Sequence, residues 1–376
     1  MGKRQVDKTS AAYKKYRRRK VLFIIEVFLL ILVGAGVYAY LQVDRSLDKI
    51  QVETLDTDKI IINEAAETDV VIKGYTNIAI FGADSRDANV EKTNTDTIII
   101  ASINNDTKVV RLVSVYRDTY LNINGDRYQK ANAAYANGGV EWAISMLNTN
   151  LDLNIKDYVT VDFNAVSDIV DILDGIQMTL TDAEAHHLNN YCVETSKVTG
   201  KGYDTLPGGG TYTLNGVQAV AFCRIRQTAG NDFKRTERQR QVIAKIVEKV
   251  KANPTKLPAI ADQVFSMVKT NMGKDQILKM GMNMLSYKLG ETTGFPFTHR
   301  TSASGDNEVP ITLESNVDLL HTFLFDNEEY TPSADVISRS RTIIEKTGYD
   351  ENTAASDENF QTSGEGGSAE KQTESE

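Results

Sequence analysis

Apolar, β-branched runs alternate along the chain with segments of helical spacing. Three short apolar runs, TNIAIFG (76–82), DTIIIASIN (96–104) and KVVRLVSVYR (108–117), predict strands, and the turn between the last two predicts a hairpin. Residues 139–149 and 164–174 have helical spacing, with the strand candidate DYVTVDF (157–163) between them. This alternation predicts an α/β fold, and we expect a layered α-β-α domain with a central mixed sheet.

The second half of the chain is predicted to contain more helix. The block LPGGGTYTLNGVQAVAFCRIR (206–226) suggests a glycine turn, an extended piece, a short helix and an apolar strand that ends in two arginines. A long helix is expected from about residue 231 to 252, where Asn253-Pro254 closes it. Two or three further helices fit 256–290.

Residues 21–41, VLFIIEVFLLILVGAGVYAYL, are long and apolar enough to cross a bilayer as one helix. Nine Lys or Arg against one Asp in residues 1–20 predict a cytoplasmic N-terminus. A cleaved signal peptide is the alternative, but the apolar run is longer than usual and no clear cleavage site follows. We therefore predict a single-pass protein of the cell membrane whose remaining parts lie outside the cytoplasm.

Composition divides the rest of the chain. Residues 42–73 are polar without a firm period and are predicted to be an extracytoplasmic linker before a catalytic domain at 74–347. Residues 348–376 form an acidic, Ser/Gly-rich tail that we predict to be disordered. The chain carries a net charge of −9, and this acidity argues against a nucleic-acid partner.

Against that acidity, FCRIRQTAGNDFKRTERQRQ (222–241) contains five arginines. On a strand, Arg224 and Arg226 would share one face. On the helix that follows, Arg235, Arg238 and Gln239 share a face that continues into apolar positions. A solvated charged helix is the alternative, but this alignment favours an anion site, and Arg forks beside a helix N-terminus suit a pyrophosphate.

Two carboxylates could complete such a site. Asp84 follows the first predicted strand and Asp96 begins the second, so the pair brackets one loop. Carboxylates placed in this way can hold Mg²⁺, which also takes phosphate oxygens, with Mn²⁺ as the alternative ion. The competing interpretation is that both are ordinary turn or cap residues.

The ordered blocks IFGADSR, TDTIII, VSVYRD, QKANAAYANGG, LPGGGTYTLNGVQAVAFCRIR and DFKRTERQRQ resemble the LytR-CpsA-Psr family over about residues 75–250. The resemblance implies a membrane-anchored phosphotransferase that takes a glycopolymer from a polyprenyl-pyrophosphate carrier. It would join the glycopolymer to peptidoglycan as a phosphodiester and release polyprenyl phosphate. The alternatives are a polyprenyl-pyrophosphate hydrolase and a non-enzymatic regulator of the cell wall.

The resemblance also implies roles for single residues. Asp84 and Asp96 are similar to the Mg²⁺-associated acids, whereas the substrate-binding candidates are Arg117, Lys130, Arg224, Arg226, Arg235, Arg238 and Gln239. The catalytic candidates are Arg117, Asp84 and Asp232, and either carboxylate is a hypothetical general base because both lie beside cationic groups.

The chain departs from the family pattern at several positions. Tyr116 stands where a proline is usual, Asp174 where a second glycine is usual, and Asn94 where an arginine is frequent. Cys223 fills a place that a small residue often holds. A disulfide between Cys192 and Cys223 and two free thiols are both compatible with the sequence.

Overall fold

A computed structural model describes residues 45–83, 95–226 and 231–356, and only the backbone of Thr57, Asn231 and Asp232. Over these residues, no helix has the length and apolar character that crossing a membrane requires. The predicted membrane segment at 21–41 lies outside the described residues, as do Asp84 and Asn94.

Within the described residues, seven strands form the main sheet. They are β1 (Gln51–Val52), β2 (Tyr75–Ala83), β3 (Thr95–Asn104), β4 (Val109–Val115), β7 (Asp157–Asp162), β10 (Lys269–Thr270) and β11 (Lys288–Phe295). Their order across the sheet is β1-β10-β7-β2-β3-β4-β11. The strands β2, β3 and β4 run antiparallel, whereas β7 pairs with β2 and β11 pairs with β4 in parallel. The predicted mixed sheet and the three strands of its centre are thereby confirmed.

Three two-stranded antiparallel sheets lie outside the main sheet, again counting only the described residues. They pair β5 (Tyr120–Asn124) with β6 (Arg127–Lys130), β8 (Ile176–Leu180) with β9 (Gly210–Leu214), and β12 (His299–Thr301) with β13 (Glu308–Pro310).

The helices follow the predicted pattern, and the long helix ends at the Asn-Pro pair as expected. Their bounds are α1 (Glu64–Thr68), α2 (Val70–Lys73), α3 (Ala133–Leu151), α4 (Phe163–Ile172), α5 (Asp182–Thr199), α6 (Gly216–Arg224), α7 (Asn231–Ala252), α8 (Leu257–Val264), α9 (Lys274–Met282), α10 (Leu313–Phe325) and α11 (Ala334–Thr347).

Both faces of the main sheet are buried. Alternate residues of the central strands, such as Phe81 and Ile100, pack with α3, α10 and α11, whereas their neighbours Ile80 and Ile99 face Ile243 of α7. Since successive side chains of a strand point to opposite faces, one sheet supplies two separate cores. The layered α-β-α arrangement follows from this burial.

Part of the predicted linker 42–73 joins the folded domain. Strand β1 pairs with β10 at the edge of the main sheet, and Ala66 and Ile72 are buried in the largest core. At the other end, the backbone N–H of Ser356 donates to His299 O at 2.8 Å, so the first residues of the predicted tail also contact the domain. The sequence did not predict this packing, because these segments are short and polar and contain only isolated apolar residues.

A buried polar network fixes the end of α3. Asp152, fully buried with a φ of 49°, accepts hydrogen bonds from Tyr330 Oη and from the backbone and hydroxyl of Ser333, each at 2.8 Å. Asn63 donates a further bond to the same carboxylate. The carboxylate therefore joins α3, α11 and the segment before α1.

We expect Asp152→Ala to lower the free energy of unfolding by about 3 kcal/mol, because several buried donors lose their acceptor. Urea unfolding measures the change. The control is Asp326→Ala, which alters another aspartate with positive φ (54°) whose side chain is exposed and pairs with Arg111. Equal losses in the two variants would show that the network contributes nothing beyond the backbone effect.

Candidate active site

The candidate site lies at one edge of the main sheet. Ala83 at the end of β2 pairs with Asp162 at the end of β7, and Phe295 at the end of β11 pairs with Val115 at the end of β4. Because β3 runs antiparallel to its neighbours, its first residue Thr95 lies at the same edge. In α/β sheets, ligands bind beyond the carboxyl ends of strands.

Asp96 is the centre of an arginine cluster at this edge. Its Oδ1 lies 2.8 Å from Arg117 Nη1, and its Oδ2 lies 3.0 Å from Arg226 Nη2 and 3.9 Å from Arg235 Nη1. Arg235 also donates from Nη2 to the backbone oxygen of Asp96 at 3.1 Å. We call Asp96, Arg117, Arg226 and Arg235 the Asp96 cluster.

Among the described residues, the Asp96 cluster is rich in arginine. Three guanidinium groups face the one carboxylate of Asp96. Burial alone would raise the pKa of Asp96, but the charges of Arg235, Arg117 and Arg226 outweigh it and hold the pKa below its usual value. Asp96 is therefore an anion that orients the arginines, and it is a poor proton acceptor.

The arginines differ in access. The side chain of Arg226 is 39% exposed and that of Arg117 is 23% exposed, whereas Arg235 is 2% exposed. A ligand can therefore reach Arg226 and Arg117 directly, and Arg235 supports Asp96 from the buried side. Arg235 lies near the start of α7, where backbone N–H groups and the helix dipole favour an anion.

Tyr116, the residue that replaces a usual proline, connects β4 to α7. Its buried ring meets Phe233 edge-on at 4.6 Å and His299 at 6.3 Å. Gly294 of β11 provides the space, because a Cβ there would lie 1.8 Å from Tyr116 Oη. The tyrosine thus packs Arg117 and the first turn of α7 against each other. At the other unusual position, Asp174 has a φ of 59°, a conformation that glycine adopts without strain.

The expectation that Arg224 and Arg226 share one face of a strand is wrong. Helix α6 continues through Arg224, which donates to Glu194 Oε2 at 2.7 Å and to Thr195 Oγ1 at 3.0 Å. Arg226 follows the end of this helix and reaches Asp96. The apolar run before the arginines has a strand-like composition, but a capping box from Asn215 to Gln218 starts a helix there.

Arg238 and Arg240 also face other partners. Arg238 donates from Nε to Glu184 Oε1 at 3.0 Å and from Nη1 to Ile225 O at 3.2 Å, so it holds α5, α6 and α7 together. Arg240 is buried beside Thr236 and Thr292. The structure thus joins Arg224 and Arg238 to carboxylates of α5.

Lys130 is linked to the Asp96 cluster through a shared partner, whereas the side-chain oxygen of Gln239 has no such link within the part of the chain that the structure describes. Lys130 Nζ lies 2.9 Å from Asp118 Oδ1, and Arg117 Nε lies 3.3 Å from Asp118 Oδ2. Asp118, which the sequence did not single out, thus joins Lys130 to the cluster; its position after Arg117 was the available signal. Gln239 follows Arg235 by one turn, and its buried Oε1 has no hydrogen-bond partner among the described residues.

The described residues do not complete a metal site by themselves. They contain no group of three or more His, Cys, Asp or Glu side chains arranged to hold an ion. Asp96 is the carboxylate at the cluster, and both of its oxygens are occupied by guanidinium groups. Asp84 and the side chain of Asp232 lie outside the described residues.

The two cysteines are free thiols, which is one of the two alternatives that the sequence left open. Cys192 and Cys223 pack in one apolar core, and burial raises the pKa of each thiol to about 12. Because the thiolate is the reactive form, we expect iodoacetamide at pH 8 to label neither residue in the folded protein and both in urea. Thiols that stay unreactive in urea without a reductant would instead indicate a disulfide.

Comparison with known proteins agrees with this architecture. Residues 37–306 match the LytR_cpsA_psr family. The polyisoprenyl-teichoic acid–peptidoglycan teichoic acid transferase TagU of Enterococcus faecalis is 31% identical over 268 residues, which cover 70% of this chain and 81% of TagU. TagU of Bacillus subtilis is 31% identical over 271 residues, with the same coverage of both chains.

A solved structure of TagT bound to LIIa-WTA shares the fold, with a TM-score of 0.53 and 22% identity over 70% of this chain and 94% of TagT. The chain therefore belongs to the LytR_cpsA_psr family, and the resemblance seen in its sequence blocks is confirmed.

Proposed function

We propose that the chain is a phosphotransferase that moves a glycopolymer from a polyprenyl-pyrophosphate carrier to peptidoglycan. The observation that carries the proposal is the Asp96 cluster, where one carboxylate orients three guanidinium groups, two of them partly exposed, at the edge of the main sheet. Arg forks bind phosphate oxygens in pairs, so this arrangement suits a pyrophosphate. The names of the TagU relatives describe a transfer of the same kind.

The reaction is a substitution at phosphorus. A sugar hydroxyl of peptidoglycan attacks the sugar-side phosphorus of the carrier, the bond to the bridging oxygen breaks, and polyprenyl phosphate leaves with that oxygen. Phosphoryl transfer depends mainly on positioning and charge neutralisation. In this proposal, Arg226 and Arg117 neutralise the charge that develops on the phosphate oxygens, and Asp96 and Arg235 hold these two groups in place.

The hydroxyl proton passes to a carboxylate other than Asp96, whose pKa is lowered and whose oxygens already accept from arginines. The two candidates are Asp84 and Asp232. The backbone of Asp232 lies in the first turn of α7, one turn before Arg235. Comparison of Asp84→Asn with Asp232→Asn assigns the base, since only the loss of the base removes the acidic limb of the pH–rate profile.

A Mg²⁺ requirement remains part of the proposal, with Asp84 and Asp96 as the ligands on the protein. The ion would neutralise phosphate oxygens. EDTA is expected to stop transfer and added Mg²⁺ to restore it, whereas full activity in EDTA would remove the metal from the account.

We also propose that residues 21–41 anchor the chain in the cell membrane with its N-terminus in the cytoplasm. The catalytic domain then meets lipid-linked donor and peptidoglycan on the outer side. The support is the apolar length of the segment and the basic residues that precede it. Protease protection of an N-terminal tag in right-side-out vesicles, with digestion of the domain, is the expected result.

The proposed function is tested by incubating the full-length protein in detergent with a lipid-pyrophosphate-linked saccharide, Mg²⁺ and peptidoglycan glycan strands. We expect polyprenyl phosphate release that depends on the glycan acceptor, together with a phosphodiester-linked product in the mass spectrum. Release that is equally fast without acceptor would indicate a hydrolase instead. Donor binding without any release would indicate a regulator that only recognises the carrier.

A further inference from the structure

An open polar cleft adjoins the Asp96 cluster and has no role in the reaction as described so far. It lies between the β5–β6 hairpin and the turn that joins β12 to β13, and its volume is about 680 Å³. Arg117 belongs to both the cleft and the Asp96 cluster, because it contacts Asp118 of the cleft through Nε and Asp96 through Nη1. We call this space the hairpin cleft. A ligand in the hairpin cleft would therefore contact Arg117, the residue that faces the phosphate in the proposed reaction.

The hairpin cleft differs from the Asp96 cluster in charge. Its cations Arg117 and Lys130 are matched by the anions Asp118 and Asp306, so its charged groups cancel. Lys130 is already paired with Asp118 at 2.9 Å. The cleft is therefore less suited to a second phosphate than to the neutral hydrogen-bonding groups of a ligand.

The remaining lining of the cleft consists of aromatic rings and amides. Tyr120 and Tyr128 lie on paired strands with ring centroids 6.2 Å apart and planes tilted by 37°. Gln129 and Asn307 add amide groups, each of which can both donate and accept hydrogen bonds. Rings supply amphipathic contact area, and amides fix the orientation of hydroxyl and acetamido groups. This combination matches a pyranose glycan.

We propose that the hairpin cleft binds the acceptor, the amino-sugar strand of peptidoglycan, through its ring faces, hydroxyl and acetamido groups, and delivers its hydroxyl to the phosphate at Arg117. This inference rests on the proposed function for the identity of the acceptor. The donor's own sugar has the same chemistry, so the experiment has separate acceptor and donor arms. The cleft is open along the surface, as a polymer that must pass through it requires.

The test compares Tyr128→Leu and Gln129→Ala with the wild type. Tyr203→Leu is the matched control, since Tyr203 is also partly buried but packs in the core beside α5 and α6. We expect the KM for the glycan acceptor to rise about tenfold in Tyr128→Leu, with kcat and the KM for the donor within about twofold of the wild type. A rise confined to the KM for the donor would overturn the acceptor assignment, as would unchanged values in both arms.

A direct binding measurement separates this inference from the proposed function. Soluble peptidoglycan glycan strands, without donor, are titrated into the full-length protein while the fluorescence of Trp142 is followed. Trp142, in α3, is the only tryptophan in the chain. The centroid of its ring lies 5.8 Å from the guanidinium carbon of Arg127, which belongs to the β5–β6 hairpin that lines the cleft. If the wild type binds the strands and Tyr128→Leu does not, the assignment of the hairpin cleft as the acceptor site is supported even if transfer fails. Equal binding by both proteins would overturn it even where transfer succeeds.

Discussion

Arg226→Ala is expected to lower the rate of glycopolymer transfer by about three orders of magnitude, the loss typical when a cation that stabilises transferring phosphate is removed. Arg226 is the most exposed arginine of the Asp96 cluster, and Asp96 orients its guanidinium group at 3.0 Å. Part of its guanidinium group is therefore accessible to a ligand. Steady-state kinetics with the lipid-linked donor measures the effect on kcat and KM.

Two controls identify the cause of this loss. Arg226→Lys keeps the charge but removes the fork, so we expect an intermediate rate. Arg111→Ala removes another partly buried arginine that pairs with a single aspartate, Asp326 at 2.7 Å, on the same sheet. We expect this second variant to keep nearly full activity. Equal rates for Arg226→Ala and Arg111→Ala would show that the Asp96 cluster is not the phosphate site.

Asp96→Asn is expected to reduce kcat by about a hundredfold while the KM for the donor stays the same or falls. Without the carboxylate, the cluster carries one more net positive charge, which favours phosphate binding. The same change leaves three guanidinium groups without the anion that orients them. An increase in KM at unchanged kcat would contradict this role and would indicate a simple contribution to binding.

The stability of this variant provides an independent measure. We expect Asp96→Asn to cost about 3 kcal/mol of unfolding free energy at neutral pH, because Arg235 remains buried with its partner's charge removed. In the wild type, the pKa of Asp96 is lowered, so this contribution is complete above the ordinary aspartate pKa of about 3.9 and is lost as pH falls further. Urea unfolding from pH 7 to pH 3 should show the two proteins converging at the acidic end. A constant difference would contradict the lowered pKa.

The sequence predicted the sheet well because the signal lay in local periodicity. The runs that became β2, β3 and β4 are apolar on both faces, as strands buried between two helical layers must be. In the structure, Asp96 at the start of β3 and Arg117 after the end of β4 lie at one edge because these two strands are antiparallel neighbours. The prediction of an arginine-rich anion site is consistent with the Asp96 cluster that the fold assembles.

The partners of single arginines could not be predicted in the same way. Arg224 and Arg226 differ by two residues, yet one ends a helix beside Glu194 and the other pairs with Asp96, 130 positions away. Which carboxylate an arginine meets depends on the end of α6 and on the packing of α5, and neither is visible in a local pattern. The packing of β1 was missed for a related reason, since a two-residue strand has no period.

The decisive measurement follows the phosphorus atoms of the donor. A lipid-pyrophosphate-linked saccharide is labelled with radioactive phosphorus at the sugar-side position only and is incubated with the full-length protein, Mg²⁺ and peptidoglycan glycan strands. The proposed reaction predicts that the label is recovered in the glycan-linked phosphodiester and that the released polyprenyl phosphate is unlabelled. Label that leaves with the lipid, or that appears as free sugar phosphate while the glycan stays unlabelled, would contradict transfer through the Asp96 cluster.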